Sequence, residues 1–273
     1  MKIFIDSALI DEIQQAYNYG ICDGVTTNPS LLKKAVAQQK QKGASITIES
    51  YIKEILKTTK GTPVSLEVTA YTADEMIAQG RALYKKFNPV ADNVCIKIPI
   101  NPSFEGETDK DFEGISAIKT LSSEGIPVNC TLIFTPEQAL LAAKAGAAIV
   151  SPFAGRIDDF IRSQHHISFE KIDYFPAEGW ELDDELIEDH GILSGIDLVD
   201  QIITIFENYD IDTEVLAASI RNVRQVREAA LIGADIATLP FSVIARLLSH
   251  YKTQEGMRKF TDDIVEEYAE LIT

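Results

Sequence analysis

Residues 63–69, PVSLEVT, and residues 93–99, NVCIKIP, decide the fold, because both alternate apolar and polar side chains. A period of two is typical of a β-strand whose two faces meet different surroundings. The polar faces carry Ser65, Glu67 and Thr69 in the first stretch, and Cys95 and Lys97 in the second. Strands that are covered by helices on the outside and closed into a barrel must turn this polar set inward. The two stretches therefore predict a barrel with a polar, ionisable interior.

Six more stretches of the chain read as strands, and helical segments separate all eight. The eight candidates span residues 2–6, 24–28, 63–69, 93–99, 127–134, 148–153, 213–219 and 236–241. Between them the apolar residues recur with helical spacing, as at Ile115, Ile118 and Leu121, and a capping residue precedes a proline at Thr135-Pro136. This alternation predicts an α/β fold, a (β/α)8 TIM barrel, as a single domain over residues 1–273.

The same alternation places further residues on the inner side of the barrel. Most of them fall in the second half of their strand, and barrel enzymes carry their active sites at the C-terminal ends of the strands. The inward set comprises Asp6, Thr26, Asn28, Asn129, Thr131, Ser151, Phe153 and Ser219. We therefore expect these side chains to meet Glu67 and Lys97 in one cavity.

Charge and composition narrow the classes of partner. A formal net charge of −17 over 273 residues argues against nucleic acid and against anionic membranes, since both require a basic surface. The cysteines are Cys22, Cys95 and Cys130, an odd number without CxxC spacing, which favours reduced thiols. Every longer apolar run contains a charge, such as Lys144 or Asp235, so we expect no signal peptide, no membrane span and a cytoplasmic location.

Two regions depart from the repeating unit. Residues 163–190, called the acidic segment below, contain nine acidic residues and one lysine, and we interpret them as an insertion after the sixth strand that could serve as a lid. Residues 252–273 place an apolar stripe on a C-terminal helix, at Met257, Phe260, Ile264, Tyr268 and Leu271. The stripe must cover either its own barrel or a neighbouring subunit, and the sequence does not choose between them.

Lys97 is the leading candidate for chemistry. Lysine is rarely buried, and burial disfavours the charged ammonium, which favours the neutral amine that can act as a nucleophile. The structural alternative is a buried ion pair between Lys97 and Glu67. Convergence with Asp6, Asn28 and Thr131 favours the catalytic interpretation, because acids and an amine would share one cavity. His165-His166 has no ligand-spaced partner and GxGxxG is absent, so neither feature indicates a metal site or a dinucleotide site.

Seven segments resemble the transaldolase family, in its order and with its strand assignments, along the whole chain except the acidic segment. They are FIDSALIDEI (4–13), GVTTNPSLL (24–32), SLEVTA (65–70), CIKIP (95–99), NCTLIF (129–134), SPFAGRI (151–157) and ASIRN (218–222). GVTTNPSLL and SPFAGRI are specific together, whereas KIP alone is a weak signal. The resemblance implies sugar-phosphate substrates, carbohydrate metabolism in the pentose phosphate pathway and, as is common in the family, a homo-oligomer.

The resemblance also implies a role for each matching residue. Lys97 matches the lysine that forms a Schiff base with the ketone carbon of the donor, and Asp6 matches the acid/base that takes the proton of the donor's C4 hydroxyl. Glu67 and Thr131 match the pair that handles the catalytic water. The remaining matches bind the substrate: Asn28, Asn129 and Ser151 at the hydroxyls of the dihydroxyacetone unit, and Arg156, Ser219 and Arg221 at the phosphate. For either arginine alone, a surface salt bridge is the structural alternative.

Two positions separate subgroups of the family. The fructose-6-phosphate aldolase subgroup typically has Gln where Glu67 stands and Tyr where Phe153 stands, so the resemblance favours transfer of dihydroxyacetone over its release. Two other functions remain open. One is a fructose-6-phosphate aldolase, which releases dihydroxyacetone without an acceptor. The other is a non-catalytic sugar-phosphate-binding barrel, which binds its ligand without forming an imine.

Overall fold

Eight parallel strands close into a barrel in the computed structural model, which describes residues 1–43, 45–100, 111–265, 268 and 271. The strands are β1 (Lys2–Asp6), β2 (Gly24–Thr26), β3 (Val64–Glu67), β4 (Val94–Pro99), β5 (Val128–Ile133), β6 (Ile149–Pro152), β9 (Glu214–Ala217) and β10 (Ile236–Leu239). Neighbours in the barrel follow chain order, and β10 pairs with β1 to close it. The predicted (β/α)8 fold is confirmed, and each predicted strand contains one observed barrel strand.

Helices follow the barrel strands in the described part of the chain. They are α1 (Ile10–Asn18), α2 (Pro29–Gln41), α3 (Ile48–Thr58), α4 (Ala73–Phe87), α5 (Glu113–Ser123), α6 (Pro136–Lys144), α7 (Ala154–Gln164), α8 (Gly195–Asn208), α9 (Val223–Leu231), α10 (Phe241–Ile244) and α11 (Tyr251–Asp262), with a 3-10 turn at Asn88–Val90. The predicted start of α6 is confirmed, since the Thr135 side chain accepts a hydrogen bond from Gln138 N and Pro136 opens the helix. Among the described residues, no helix has the length and apolarity needed to cross a membrane.

Several strands end earlier than predicted. β2 ends at Thr26 rather than at Asn28, and β3 ends at Glu67 rather than at Thr69. The predicted inward position of Thr69 is wrong, because this residue is exposed and its backbone N–H donates to Gln79 Oε1 of α4 over 2.8 Å. The chain must leave the barrel wall to begin each following helix, so strand pairing stops before the apolar–polar alternation does.

Two apolar cores lie on opposite sides of the barrel wall. The larger core packs the outward residues of the strands, such as Leu66 and Ile96, against the helices. The smaller core fills the barrel interior with Phe4, Ile149, Leu216, Ala218 and Ile236. These apolar side chains fill the middle of the barrel. Glu67 of β3 and Lys97 of β4 also point inward, but they lie near the C-terminal ends of their strands. The alternation predicted for β3 within its observed bounds and for β4 is confirmed.

The acidic segment packs against the outer helices. It contains an antiparallel hairpin, β7 (Trp180–Leu182) and β8 (Glu185–Ile187). Arg162 of α7 is only 2% exposed and packs against the first part of the acidic segment. Its guanidinium lies 4.9 Å from the ring centroids of both Phe169 and Phe175. Farther along, the Tyr174 hydroxyl donates to Glu228 of α9 over 2.5 Å. The segment is thus tied to α7 and α9 on the outside of the barrel.

The C-terminal helix differs from its prediction. α11 runs from Tyr251 to Asp262, and the chain leaves helical geometry at Asp263–Val265, so one continuous helix over 252–273 is wrong. Residues 266–267, 269–270 and 272–273 lie outside the described residues. No residue of α11 is buried, and a helix without tertiary packing has little to sustain it beyond a few turns. The predicted stripe is exposed at Met257, Phe260 and each of its other members.

Candidate active site

A cavity of about 480 Å³ opens at the C-terminal ends of the barrel strands. Nine of the eleven predicted site residues line it: Asp6, Asn28, Glu67, Lys97, Thr131, Ser151, Phe153, Arg156 and Ser219. The other two, Asn129 and Arg221, are not among its lining residues. No residue of the acidic segment lines the cavity either, so its role as a lid stays a prediction.

Lys97 lies near the end of β4 and is only 7% exposed. Its Nζ is 3.7 Å from Oε2 of Glu67, its neighbour across the β3–β4 pair. This separation is longer than an ordinary hydrogen bond of 2.7–3.2 Å, so the pair is loose. On another side, the Phe153 ring centroid is 5.8 Å from Nζ. The amine is therefore buried beside an acid yet not tightly bound to it, which suits a group that must react with a ligand.

Asp6 ends β1, and the strands on both sides orient its carboxylate. Thr26 of β2 donates from Oγ1 to Asp6 Oδ1 over 2.8 Å, and Thr238 of β10 lies 2.6 Å from Thr26 Oγ1. Burial raises the pKa of Asp6 above its ordinary value, while the Thr26 hydrogen bond and the charge of Lys97 act in the opposite direction. The result is a well-oriented carboxyl group that holds its proton more readily than an exposed aspartate.

Glu67 is a second acid with a raised pKa in the same cavity. Burial is the main cause, and the negative charge of Asp6 adds to it, whereas Lys97 and then Arg156 lower the pKa. Two acids thus stand near one amine, on strands β1 and β3. Such a set can take and return protons around a reacting carbonyl group.

Thr131 reaches the cavity beside an irregularity in β5. The register between β5 and β6 shifts between Cys130 and Ile133, and Leu132 has a φ of 60°. This bulge places both Thr131 and Leu132 in the cavity lining. Thr131 is 1% exposed, and its Oγ1 has no hydrogen-bond partner in the described part of the chain. A buried hydroxyl without a partner is expected to bind a ligand or a water molecule.

The predicted hydroxyl-binding residues divide into two kinds. Asn28 lines the cavity while it caps α2, with Oδ1 accepting from Leu31 N over 2.9 Å. Asn129 is fully buried: its Nδ2 donates to Ser65 over 3.1 Å, and its Oδ1 accepts from the Ser151 hydroxyl over 2.7 Å. The structure therefore places Asn129 behind Ser151, where it orients that residue.

The predicted phosphate site is only partly assembled. Arg156 is exposed, lines the cavity, and places its guanidinium 4.8 Å from the Phe153 ring centroid. Arg221 does not line the cavity, because Nη2 pairs with Asp159 at 2.9 Å and also bonds Ser219 Oγ at 3.2 Å. Ser219 enters the cavity for a reason other than strand alternation. It lies beyond β9 with a φ of 61°, and the inward side chains there are Leu216 and Ala218.

Sequence reasoning missed several residues of the cavity wall. Thr238 follows the same alternation that located Lys97, so that pattern could have found it, whereas Leu216 and Ala218 have the opposite parity to Ser219, which the pattern placed inward. Pro29 and Ser30 follow from Asn28, since they open the helix that it caps. Leu132 had no sequence signal, because the bulge in β5 breaks the alternation there. Among the described residues, no group of three or more His, Cys, Asp or Glu side chains could hold a metal ion.

The fold and the cavity define a class of protein. It is a (β/α)8-barrel enzyme whose amine, acids and hydroxyls meet at the C-terminal ends of the strands, where barrel active sites are built. A family model described as "Transaldolase/Fructose-6-phosphate aldolase" matches residues 3–271. The chain therefore belongs to the transaldolase/fructose-6-phosphate aldolase family.

Curated relatives along nearly the whole chain carry the same family name. The "Probable transaldolase" of Thermoplasma acidophilum is 43% identical over 263 residues, covering 96% of this chain and 95% of the relative. That of Chlorobaculum parvum is 43% identical over 266 residues, covering 96% and 97%. That of Aquifex aeolicus is 42% identical over 263 residues, covering 96% of both chains. The similarity thus extends over nearly the full length of these relatives.

Proposed function

We propose that this enzyme is a transaldolase that forms a Schiff base on Lys97. It transfers a dihydroxyacetone unit from sedoheptulose 7-phosphate or fructose 6-phosphate to glyceraldehyde 3-phosphate or erythrose 4-phosphate, in the cytoplasmic pentose phosphate pathway. The observation that carries the proposal is the buried amine of Lys97 beside Glu67, in one cavity with Asp6. The family assignment and the names of the relatives support it.

The chemistry follows from the positions of these groups. The amine of Lys97, once it has given up its proton, attacks the C2 carbonyl of the ketose, and the carbinolamine loses water to give a protonated imine. Asp6 then takes the proton of the C4 hydroxyl while the C3–C4 bond breaks. The electron pair of that bond moves into the imine to give an enamine. Glu67 and Thr131 manage the water that leaves first and returns at the end. No metal or organic cofactor enters this sequence, because the protonated imine itself accepts the electrons.

The second half of the cycle separates transfer from release. The enamine carbon attacks the acceptor aldehyde, Asp6 returns its proton to the new hydroxyl, and water then hydrolyses the imine. Transfer requires that no proton reaches the enamine carbon first. Phe153 presents an apolar ring 5.8 Å from the Lys97 amine and carries no hydroxyl proton. This environment favours transfer over the aldolase alternative.

Product analysis tests the proposal directly. Fructose 6-phosphate is supplied with and without erythrose 4-phosphate, and the products are quantified. Transfer yields sedoheptulose 7-phosphate and glyceraldehyde 3-phosphate in equal amounts, only when the acceptor is present. If dihydroxyacetone were released without acceptor at a rate comparable to that of transfer, the enzyme would be an aldolase instead. Binding of the sugar phosphate without any product would establish the non-catalytic barrel.

Arg156→Ala is expected to weaken binding of the phosphorylated donor. A hydrogen bond to a charged group contributes about 1.5–3 kcal/mol, so KM for fructose 6-phosphate should rise by about 10- to 100-fold. The kcat/KM for phosphate-free fructose should change little, because that substrate has no group for Arg156 to bind. Arg224→Ala is the matched control, since its guanidinium also lies 4.8 Å from an aromatic ring, that of Tyr174, outside the cavity. Equal losses on both substrates would contradict a phosphate role.

The exposed apolar stripe supports a homo-oligomer as a second part of the proposal. Met257 is 59% and Phe260 73% exposed, and they lie on one side of α11. Burying such side chains contributes about 1.5–3 kcal/mol each, which favours a second copy of the chain as the covering surface. Phe260→Glu should therefore lower the mass measured by light scattering. Lys259→Gln makes the same change in charge on the opposite side of α11 and should leave the mass unaltered. An unchanged mass for Phe260→Glu would contradict this role.

A further inference from the structure

Asp158 is a buried carboxylate that the proposed reaction does not use. It lies in the second turn of α7 and is 2% exposed. Its two oxygens accept hydrogen bonds from two other elements. Oδ1 accepts from the backbone N–H of Gly195 at the start of α8, and Oδ2 accepts from Nε2 of Gln225 in α9, both over 2.7 Å. One side chain therefore joins three consecutive helices of the barrel.

The hydrogen bonds continue from Asp158 to the cavity wall. Gln225 is 1% exposed, and its Oε1 accepts from the backbone N–H of Arg221 over 2.8 Å. Arg221 is two residues from Ser219, which lines the cavity with a φ of 61°. A residue other than glycine reaches this backbone region only when its surroundings compensate for the strain. The chain Asp158–Gln225–Arg221 supplies such a restraint.

The backbones of neighbouring elements come into close contact around Asp158. A Cβ added to Gly155 would lie 2.2 Å from the carbonyl oxygen of Ser219, and one added to Gly195 would lie 2.0 Å from that of Ala154. The first turn of α7 therefore touches the loop after β9. Arg156, the exposed arginine of the cavity, belongs to this same turn. The spacing between Arg156 and Ser219 is thus set at the junction where Asp158 lies.

We propose that Asp158 is a positioning residue for anion binding: through Gln225 it holds the 219–221 loop so that Ser219 and Arg156 face one bound phosphate or sulfate group. This inference rests on the proposed function, because a phosphorylated substrate is what the site would serve. Asp158 itself is not among the residues that line the cavity.

The direction of the hydrogen bonds gives the link a pH dependence. Burial raises the pKa of Asp158 to about 7; the Gly195 N–H, the charge of Arg162 and the Gln225 amide lower it, and the charge of Asp159 raises it. The ionised carboxylate accepts from both donors. A protonated carboxyl must donate, which turns the Gln225 amide round and leaves the Arg221 N–H facing another donor. The hydrogen bonds that restrain the 219–221 loop are therefore weakened as pH falls through about 7.

Sulfate titration by calorimetry tests the proposal, because sulfate remains a dianion over the whole range used. The wild-type enzyme should bind sulfate more weakly at pH 6 than at pH 8. Asp158→Asn and Gln225→Met should each raise the sulfate Kd at pH 8 by about tenfold, the effect of one buried hydrogen bond, and should lose most of the pH dependence. KM for fructose 6-phosphate should rise in parallel, with kcat/KM for fructose unchanged.

Tyr174→Phe is the matched control, since it removes a hydrogen bond to Glu228 on the same helix as Gln225 but not in the chain to Ser219. Its sulfate Kd should equal that of the wild type. The proposal is overturned if the wild type binds no sulfate, or if both variants bind it with unchanged affinity and pH dependence. Failure of the proposed function is separate: it would show as sulfate binding with the expected pH dependence in a protein that forms no products.

Discussion

Lys97→Met is expected to eliminate the covalent adduct with fructose 6-phosphate and to lower the transfer rate by a factor on the order of 10⁶, as for loss of other covalent nucleophiles. Methionine fills nearly the same space beside Phe153 but has no amine, so neither the carbinolamine nor the imine can form. Glu67 also loses the neighbouring charge that lowers its pKa. The measurement is borohydride reduction with substrate present, followed by the mass of the intact chain and of the peptide that contains residue 97.

The control for this variant is Lys119→Met, which removes an exposed lysine on α5 and should leave adduct and rate unchanged. An adduct of unchanged yield on Lys97→Met would place the imine on another lysine. Wild-type protein that gives no adduct would remove the Schiff-base mechanism altogether. Lys97 and Glu67, 3.7 Å apart, would then form only a structural buried ion pair.

Asp6→Asn is expected to separate the steps of the reaction. The amide oxygen can still accept from Thr26, so the geometry of the cavity should persist. Imine formation uses Lys97 and should survive, whereas cleavage of the C3–C4 bond needs the base and should slow by about 10²- to 10⁴-fold. The trapped adduct should therefore retain the mass of the whole ketose. An adduct of only three carbons, formed at the wild-type rate, would contradict this role for Asp6.

The same variant should change how stability depends on pH. Burial raises the pKa of Asp6, so the folded protein keeps a proton that the unfolded chain would release. The stability from this group is fully present below the unfolded pKa of about 4 and is lost as pH rises through the folded value. Asp6→Asn does not titrate, so its melting temperature relative to wild type should increase as pH rises above about 4, the pKa of the unfolded carboxyl. An unchanged difference in melting temperature over this pH range would contradict a raised pKa for Asp6.

The alternation of side chains determined most of the barrel from the sequence. It located the eight strands and turned Glu67 and Lys97 inward, because the direction of a strand side chain depends only on its position along the strand. The same reasoning failed for Thr69 and explained Ser219 wrongly, since both lie beyond the end of their strand. There the backbone follows the next helix or a positive φ, and a period of two no longer applies.

Only the tertiary structure decided how distant elements meet. In it Arg221 forms an ion pair with Asp159, Asn129 lies behind Ser151, and the acidic segment lies outside the barrel. It also revealed Asp158, which no sequence pattern distinguishes from other helical acids. The physical reason is that each of these outcomes depends on hydrogen bonds and ion pairs between segments far apart in the chain. Local sequence sets which side chains face inward, whereas packing sets which of them find partners and which remain for a ligand.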